Sequence, residues 1–252
     1  RKPRLTKRAP FGQTHRRATR GMLQQLGVVE APEVLDVTSD FPIVLSRATG
    51  CRVRDLDGNR YIDLTGFFGA ALVGHRNPAV VRALRVQAGR LLHAMGDVHP
   101  ADVKARFLSA LCACLPACGY RTVLSHNGCD AVETALKFAA VATGRAKVIA
   151  FEGAYHGLSL GALEVTHRSE FRDPFAHLLS GRAAFVPFPT EGRDTDAVLS
   201  TVQTLGAAGD RGAVIVEPIQ GRGGIRVPPA GFLAALCEVA HRHDMLVISD
   251  EI

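Results

Sequence analysis

Four short stretches of the 252-residue chain combine side chains and backbone in ways that can do chemistry. In His126-Asn127-Gly128-Cys129-Asp130, a glycine stands just ahead of a helical pattern that begins near Asp130. Free N–H groups at a helix start form an anion seat, and Gly128 would let a phosphate approach the backbone. No Gly-Lys-Ser/Thr follows and the spacing is not a dinucleotide fingerprint, so an ordinary tight turn is the plain alternative. In Gly153-Ala154-Tyr155-His156-Gly157, two glycines flank an aromatic pair. Backbone freedom there can lay a flat side chain over a flat ligand, or can simply make a surface turn. Glu217-Pro218-Ile219-Gln220 runs into Gly221-Arg222-Gly223-Gly224, placing a carboxylate and an amide beside a flexible backbone. Finally, the apolar run of Met245–Ile252 (MLVISDEI) ends on Ser249, Asp250 and Glu251. A half-buried carboxylate at such a strand tip needs a cation or a donor to offset its desolvation. An acid leaving a strand into solvent explains that stretch equally well.

The elements that must position these residues follow from periodicity. Strand-like runs end near Ser125 (RTVLS), Phe151 (KVIAF), Phe188 (AFVPF), Glu217 (AVIVE) and Asp250 (LVISD). The gaps between those ends, 26, 37, 29 and 33 residues, each suit one strand-helix-strand unit. Helices are expected over Asp130–Ala142, closed by Thr143-Gly144, and over Pro229–His243. The unalternated Leu246-Val247-Ile248 predicts a parallel strand buried on both faces. The fold class is therefore α/β, a doubly wound, mostly parallel sheet whose ligands sit beyond the carboxyl ends of the strands. Upstream, Phe41–Leu64 reads as short strands with a hairpin turn at Asp57-Gly58-Asn59. Helices are expected from Pro78 to about Leu92, capped by Asn77, and over about Asp102–Leu115, ended by Pro116.

Composition narrows the function classes. The chain is 47% hydrophobic, enough for a large core, and has no apolar run long enough to span a membrane. Its net charge of +6 is local: residues 1–20 hold eight Arg/Lys and no acid, leaving 22 basic against 24 acidic residues. A solvated, disordered tail is the expected reading of that basic arm, against a nucleic-acid contact or a transit peptide. Nothing in the body supports binding to nucleic acid or membrane. Cys112-Ala-Cys-Leu-Pro-Ala-Cys118 lacks zinc-site spacing, so its cysteines are expected as small core residues, no metal is expected, and a reduced, cytoplasmic protein fits best.

Taken in order, HNGCDAVETALKFA, FEGAYHG, VIVEPIQGRGG and LVISDEI resemble the class III aminotransferases, fold type I enzymes dependent on pyridoxal 5'-phosphate (PLP). Gly50–Pro78, with its D-x-D-G-N-R-Y-I-D-L and V-G-H-R-N-P runs, is similar to that family's amino-terminal region, so the resemblance covers about Phe41 to Ile252. It implies a basic arm and leading helix or loop over 1–40, part of a small domain over 41–95, and a PLP-binding large domain over 96–252, incomplete at its carboxyl end. It implies backbone N–H bonds from Gly128 and Cys129 to the cofactor phosphate. Asn127 and Cys129 depart from the family's usual Ser-Gly-Ala/Ser/Thr, which puts any hydroxyl contact in doubt. Tyr155 would stack on the pyridine ring with His156 beside it, and Gln220 would lie near the ring's phenolic oxygen. Asp250, the catalytic assignment, would hold a proton on the ring nitrogen so that the ring withdraws the electrons of a substrate carbanion. Glu217 resembles the acid that pairs with an arginine when no second carboxylate is bound. Phe67 and Phe68 are candidates for pocket wall or for core.

This chemistry also needs a lysine to hold the cofactor as a Schiff base and to move a proton. Lys2, Lys7, Lys104, Lys137 and Lys147 all sit in the tail, inside helices or at the wrong end of a strand. In the family the catalytic lysine follows the next strand. The sequence therefore reads as a truncated aminotransferase, inactive and aggregation-prone as a free polypeptide, whose sheet leaves the strand ending at Ser125 without its neighbour. The parent reaction would move an amino group from an amine or ω-amino acid to a 2-oxo acid, in a homodimer. A family aminomutase or decarboxylase would share the same residues, and a non-catalytic relative that kept the crevice as a binding protein is a second class. A nicotinamide-dependent enzyme is disfavoured because the first strand-helix turn lacks G-x-G-x-x-G.

Overall fold

The computed structural model describes residues 17–31, 43–116, 119–190 and 195–252. Most of the basic arm, Phe41 at the start of the expected hairpin, and Cys118 lie outside those residues. The chain divides into two compact units, Arg1–Cys118 and Gly119–Ile252.

In the amino-terminal unit, helix α1 (Arg17–Val29) precedes a three-stranded antiparallel sheet of β1 (Leu45–Thr49), β2 (Arg52–Asp55) and β3 (Arg60–Ile62), in that order. The expected turn organises it. Asp55 is buried and accepts from the Asn59 N–H at 2.8 Å and the Tyr61 hydroxyl at 2.7 Å. Burial alone would raise its pKa, but these donors win and hold it below the usual carboxylate range. Asp57 reaches the first turn of α1, accepting from the N–H groups of Ala18 and Thr19 at 2.9 and 3.0 Å. Helix α2 (Pro78–Ala88) opens as expected, with the Asn77 side chain accepting from Ala79 N–H. Helix α3 (Asp102–Ala113) corrects one expectation: it buries no residue, Cys112 is half-buried and Cys114 exposed, so these cysteines are not core. Its apolar stripe has no described layer against it, and Val53 is the unit's sole buried hydrophobic residue among those described.

The second unit holds a parallel sheet of β4 (Lys147–Phe151), β5 (Ala183–Val186), β6 (Arg211–Val216) and β7 (Leu246–Ser249), in the order β5-β4-β6-β7. Strand alternation splits the core in two. Ile149, Phe151, Val214 and Val216 face α6 (Thr195–Ala207) and α7 (Phe232–Arg242), where Val202, Phe232 and Leu236 complete one cluster. Val148, Ala150, Ala213 and Ile215 face α4 (Gly128–Thr143) and α5 (Leu160–Val165) through Val132, Ala139 and Ala162. Helices on both faces make the sheet doubly wound, as its sequence pattern requires.

Two expected strands differ. RTVLS forms no ladder: 121–125 belongs to no strand, and Val123 and Leu124 are exposed. A strand exists only through its neighbours, and none of the four parallel strands pairs with 121–125. Likewise, β7 pairs with β6 alone, so Leu246 and Ser249 are exposed and Val247 and Ile248 only half-buried. The expected burial on both faces fails because β7 is a sheet edge. Among the described residues, no helix is long and apolar enough to cross a membrane.

Candidate active site

The carboxyl ends of the strands converge in the second unit. Asp250 follows β7 directly, and its N–H donates to Val216 O at 2.9 Å, extending the ladder by one residue. Its carboxylate is buried: Oδ2 lies 2.7 Å from His156 Nδ1, and Oδ1 accepts from Ile252 N–H at 3.1 Å. A carboxylate only accepts, so this contact assigns the proton to His156 Nδ1. Of the two readings of the strand tip, the buried and partnered one holds.

His156 is itself held in place. Its N–H donates to Thr166 Oγ1 at 2.9 Å, and that hydroxyl lies 3.0 Å from Gly157 O. Thr166 is fully buried, yet nothing in the sequence spacing marks it. Gly157 (φ +123) also admits the next element, since a Cβ there would lie 2.5 Å from Cys129 Sγ. Cys129 accepts from Leu158 N–H at 3.3 Å, so it docks the turn after β4 onto the start of α4.

At that start, Asn127 is the N-cap, its side chain accepting from Asp130 N–H at 2.9 Å, while Asp130 accepts from His126 N–H at 3.2 Å. Asn127 is thus occupied as a cap. The N–H groups of Gly128 and Cys129 have no partner among the described residues. A Cβ on Gly128 would come within 3.0 Å of Ile252 Cδ1. The helix start and the residues after β7 therefore meet, and Gly128, Cys129, His156 and Asp250 occupy one neighbourhood.

Glu217 and Gln220 border it. Glu217 Oε2 accepts from Tyr155 N–H and Oε1 from Gly221 N–H, both at 3.2 Å. Burial pushes its carboxyl above the ordinary value; the donors and His156 pull it down, and Asp250 pushes it up again. Gln220 is fully buried and donates from Nε2 to Glu152 O at 2.9 Å. Gly153 (φ +83) makes room for it, because a Cβ there would meet Gln220 Oε1 at 3.0 Å. Tyr155 is half-buried, with the Phe171 ring edge-on at 5.4 Å and the Arg222 guanidinium 4.5 Å from its ring centroid. Neither Phe171 nor Arg222 was marked by a motif of its own. Phe68 belongs to the amino-terminal unit, where it is fully exposed and so not core. Phe67 packs its ring 4.6 Å from His75.

Two buried atoms here lack partners, His156 Nε2 and Gln220 Oε1. Buried polar atoms are normally satisfied, so orphans mark a place for a polar ligand. Together with a buried acceptor at Asp250 and free N–H groups at α4, they suit a flat molecule with a ring nitrogen and a phosphate, as PLP is. Among the described residues no group of three His, Cys, Asp or Glu could hold a metal ion.

The family model for class III aminotransferases matches residues 34–252. The chain is 38% identical over 212 residues to the acetylornithine aminotransferase of Methanosarcina mazei, covering 84% of this chain and 50% of that protein. It is 37% identical over 217 residues to the [LysW]-aminoadipate semialdehyde transaminase of Deinococcus radiodurans, covering 86% of this chain and 48% of that protein. Among solved structures, an amine transaminase from an uncultivated Pseudomonas species, in a PLP-bound form, superposes with a TM-score of 0.77 at 28% identity. That match covers 88% of this chain and 55% of the other. The chain thus spans about half the length of the curated relatives it matches. A family match over most of its length, on a doubly wound sheet whose strand ends gather the same ordered motifs, leaves one assignment: the chain belongs to the class III aminotransferases.

Proposed function

We propose that this chain carries the PLP seat of an enzyme that moves an amino group from an amine or ω-amino acid to a 2-oxo acid. The buried Asp250–His156 pair at 2.7 Å supports this most directly, because the reaction needs an anion under the ring nitrogen. When bound, PLP supplies a protonated pyridine ring that takes up the electrons left when a substrate carbon loses its proton. Asp250 would hold the proton on that ring nitrogen, and His156, by donating to Oδ2, keeps the carboxylate aimed. Gly128 and Cys129 would donate backbone N–H groups to the phosphate, Tyr155 would stack on the ring, and Gln220 Oε1 would accept from the ring's phenolic hydroxyl. Glu217 is assigned to the substrate side. In this reading 41–95 belongs to a small domain and 96–252 to the PLP-binding domain.

None of the described lysines can take the proton from substrate. Lys147 lies at the opposite end of β4 and pairs with Asp210 at 2.6 Å. Lys137 is nine residues along α4 from Gly128, about 14 Å down the axis. Lys104 donates to Gly96 O at 2.7 Å inside the amino-terminal unit. The 252-residue chain alone is therefore proposed to bind PLP without turnover. A homodimer is proposed because the amino-terminal unit exposes Leu64, Phe68, Leu72 and Leu92.

The test compares the 252-residue chain with any longer product of the same gene, using N-acetylornithine as first donor and a 2-oxo acid as acceptor. The proposal expects PLP binding by both and transfer only by a product that supplies a lysine at the site. Turnover by the short chain would remove the lysine argument. A PLP-loaded longer product that transfers no amino group from any amine or ω-amino acid would remove the proposed reaction.

A further inference from the structure

The small sheet of the amino-terminal unit carries a concentration of positive charge that the aminotransferase reading does not use. Arg47 is paired across the ladder with Arg54, and Arg54 with Arg60, so three arginines stand side by side on three strands. One row over, Arg52 lies opposite Thr49 and Ile62. Residues two apart on a strand share a face, so Arg52 joins Arg54. Arg76, from the loop before α2, reaches the same place, with its guanidinium 3.5 Å from Thr49 Oγ1. These five arginines line one concavity of about 510 Å³, and no acid lines it.

The segment does contain acids, but each is committed elsewhere. Asp55 points to the opposite face and holds Asn59 and Tyr61. Asp57 holds the start of α1. Asp63 pairs with His75 at 2.8 Å. Among the described residues, the guanidinium groups of Arg47, Arg52, Arg54, Arg60 and Arg76 have no carboxylate partner. Like charges directly opposite each other in a sheet destabilise it, and here two such pairs share Arg54. A bound anion would relieve that repulsion.

We infer that this face is a binding site for a compact polyphosphate, a small molecule bearing two or more phosphate groups. The three adjacent strands lie about 5 Å apart, so their arginine side chains can converge on neighbouring phosphates of one small molecule. The volume lies in the range of small-ligand pockets, which favours a compact ligand over a long chain. A planar fork binds phosphate bidentately, and bonds between charged partners are the strong ones.

Calorimetric titration of the chain with inorganic tripolyphosphate at low salt tests this. The inference expects saturable binding that Arg54→Thr weakens about tenfold or more, since it removes the shared fork. Arg242→Thr, an exposed arginine in the other unit, should bind as the unaltered chain does. Without anion, Arg54→Thr should melt no lower than the unaltered chain, because two repulsive pairs are gone. Should Arg54→Thr fail to fold, Arg60→Gln carries the same titration. No saturable binding, equal binding by the altered chains, or a preference for single-stranded oligonucleotides that grows with their length would overturn the inference.

Discussion

Glu217 shows how a single residue's environment sets its chemistry. Its two N–H donors favour the charged form, yet burial outweighs them and raises its pKa. The folded state therefore keeps this proton to higher pH than the unfolded chain does. The contribution to stability is greatest below the ordinary carboxylate range and falls as pH rises through the folded value. Glu217→Gln removes that fall, so in denaturation experiments the stability difference should move toward the variant as pH rises above the ordinary carboxylate range. A difference that stays constant with pH would show that Glu217 titrates as an ordinary exposed acid. Asn127 gives a second expectation: as the N-cap of α4 it satisfies Asp130 N–H, and Asn127→Ala should cost about 1 kcal/mol by urea unfolding. The cap, the hairpin aspartates and the conformationally free glycines were legible in the sequence because each acts within a few residues. Thr166 beneath His156 and Arg222 over Tyr155 were not, because their partners lie 10 and 67 residues away in sequence.

At the scale of elements, the sheet separates what periodicity reveals from what pairing decides. The strands β4, β5 and β6 and the helices around them follow the hydrophobic pattern, since each buries the residues that pattern marks. RTVLS also reads as a strand but forms no ladder, and β7 is half-exposed despite its apolar run. A strand's burial belongs to its neighbours, which a local pattern cannot supply. The same logic ranks substitutions. Phe232 is fully buried and packs edge-on against Phe151 at 5.9 Å and Phe188 at 6.4 Å. Phe232→Ala should cost about 3–5 kcal/mol, whereas Leu246→Ala on the half-open edge should cost about 1 kcal/mol. Similar losses from both in urea unfolding would show that β7 is buried in solution.

For the whole molecule, four turns drawn from the length of the second unit act as one site because the strands are parallel and end on the same side. The start of α4, the turn after β4, the turn after β6 and the tip of β7 meet around Asp250, though Cys129 and Asp250 are 121 residues apart. The ordered motifs identify the family because their order encodes this convergence, while the distances within it come only from the folded chain. The amino-terminal unit is organised differently, around one buried valine and a lattice of aspartate bonds, and its arginine face has no counterpart in those motifs. The central claim is that Asp250 and the start of α4 hold the two ends of one cofactor. Nitrogen NMR of pyridoxamine 5'-phosphate, labelled with ¹⁵N in its ring and bound to the chain, tests it most directly. The expected result is a ring nitrogen that stays protonated to higher pH than in free solution, and loses that extra protonation in Asp250→Asn while the phosphate remains bound. A ring nitrogen with the same protonation in both proteins would contradict it.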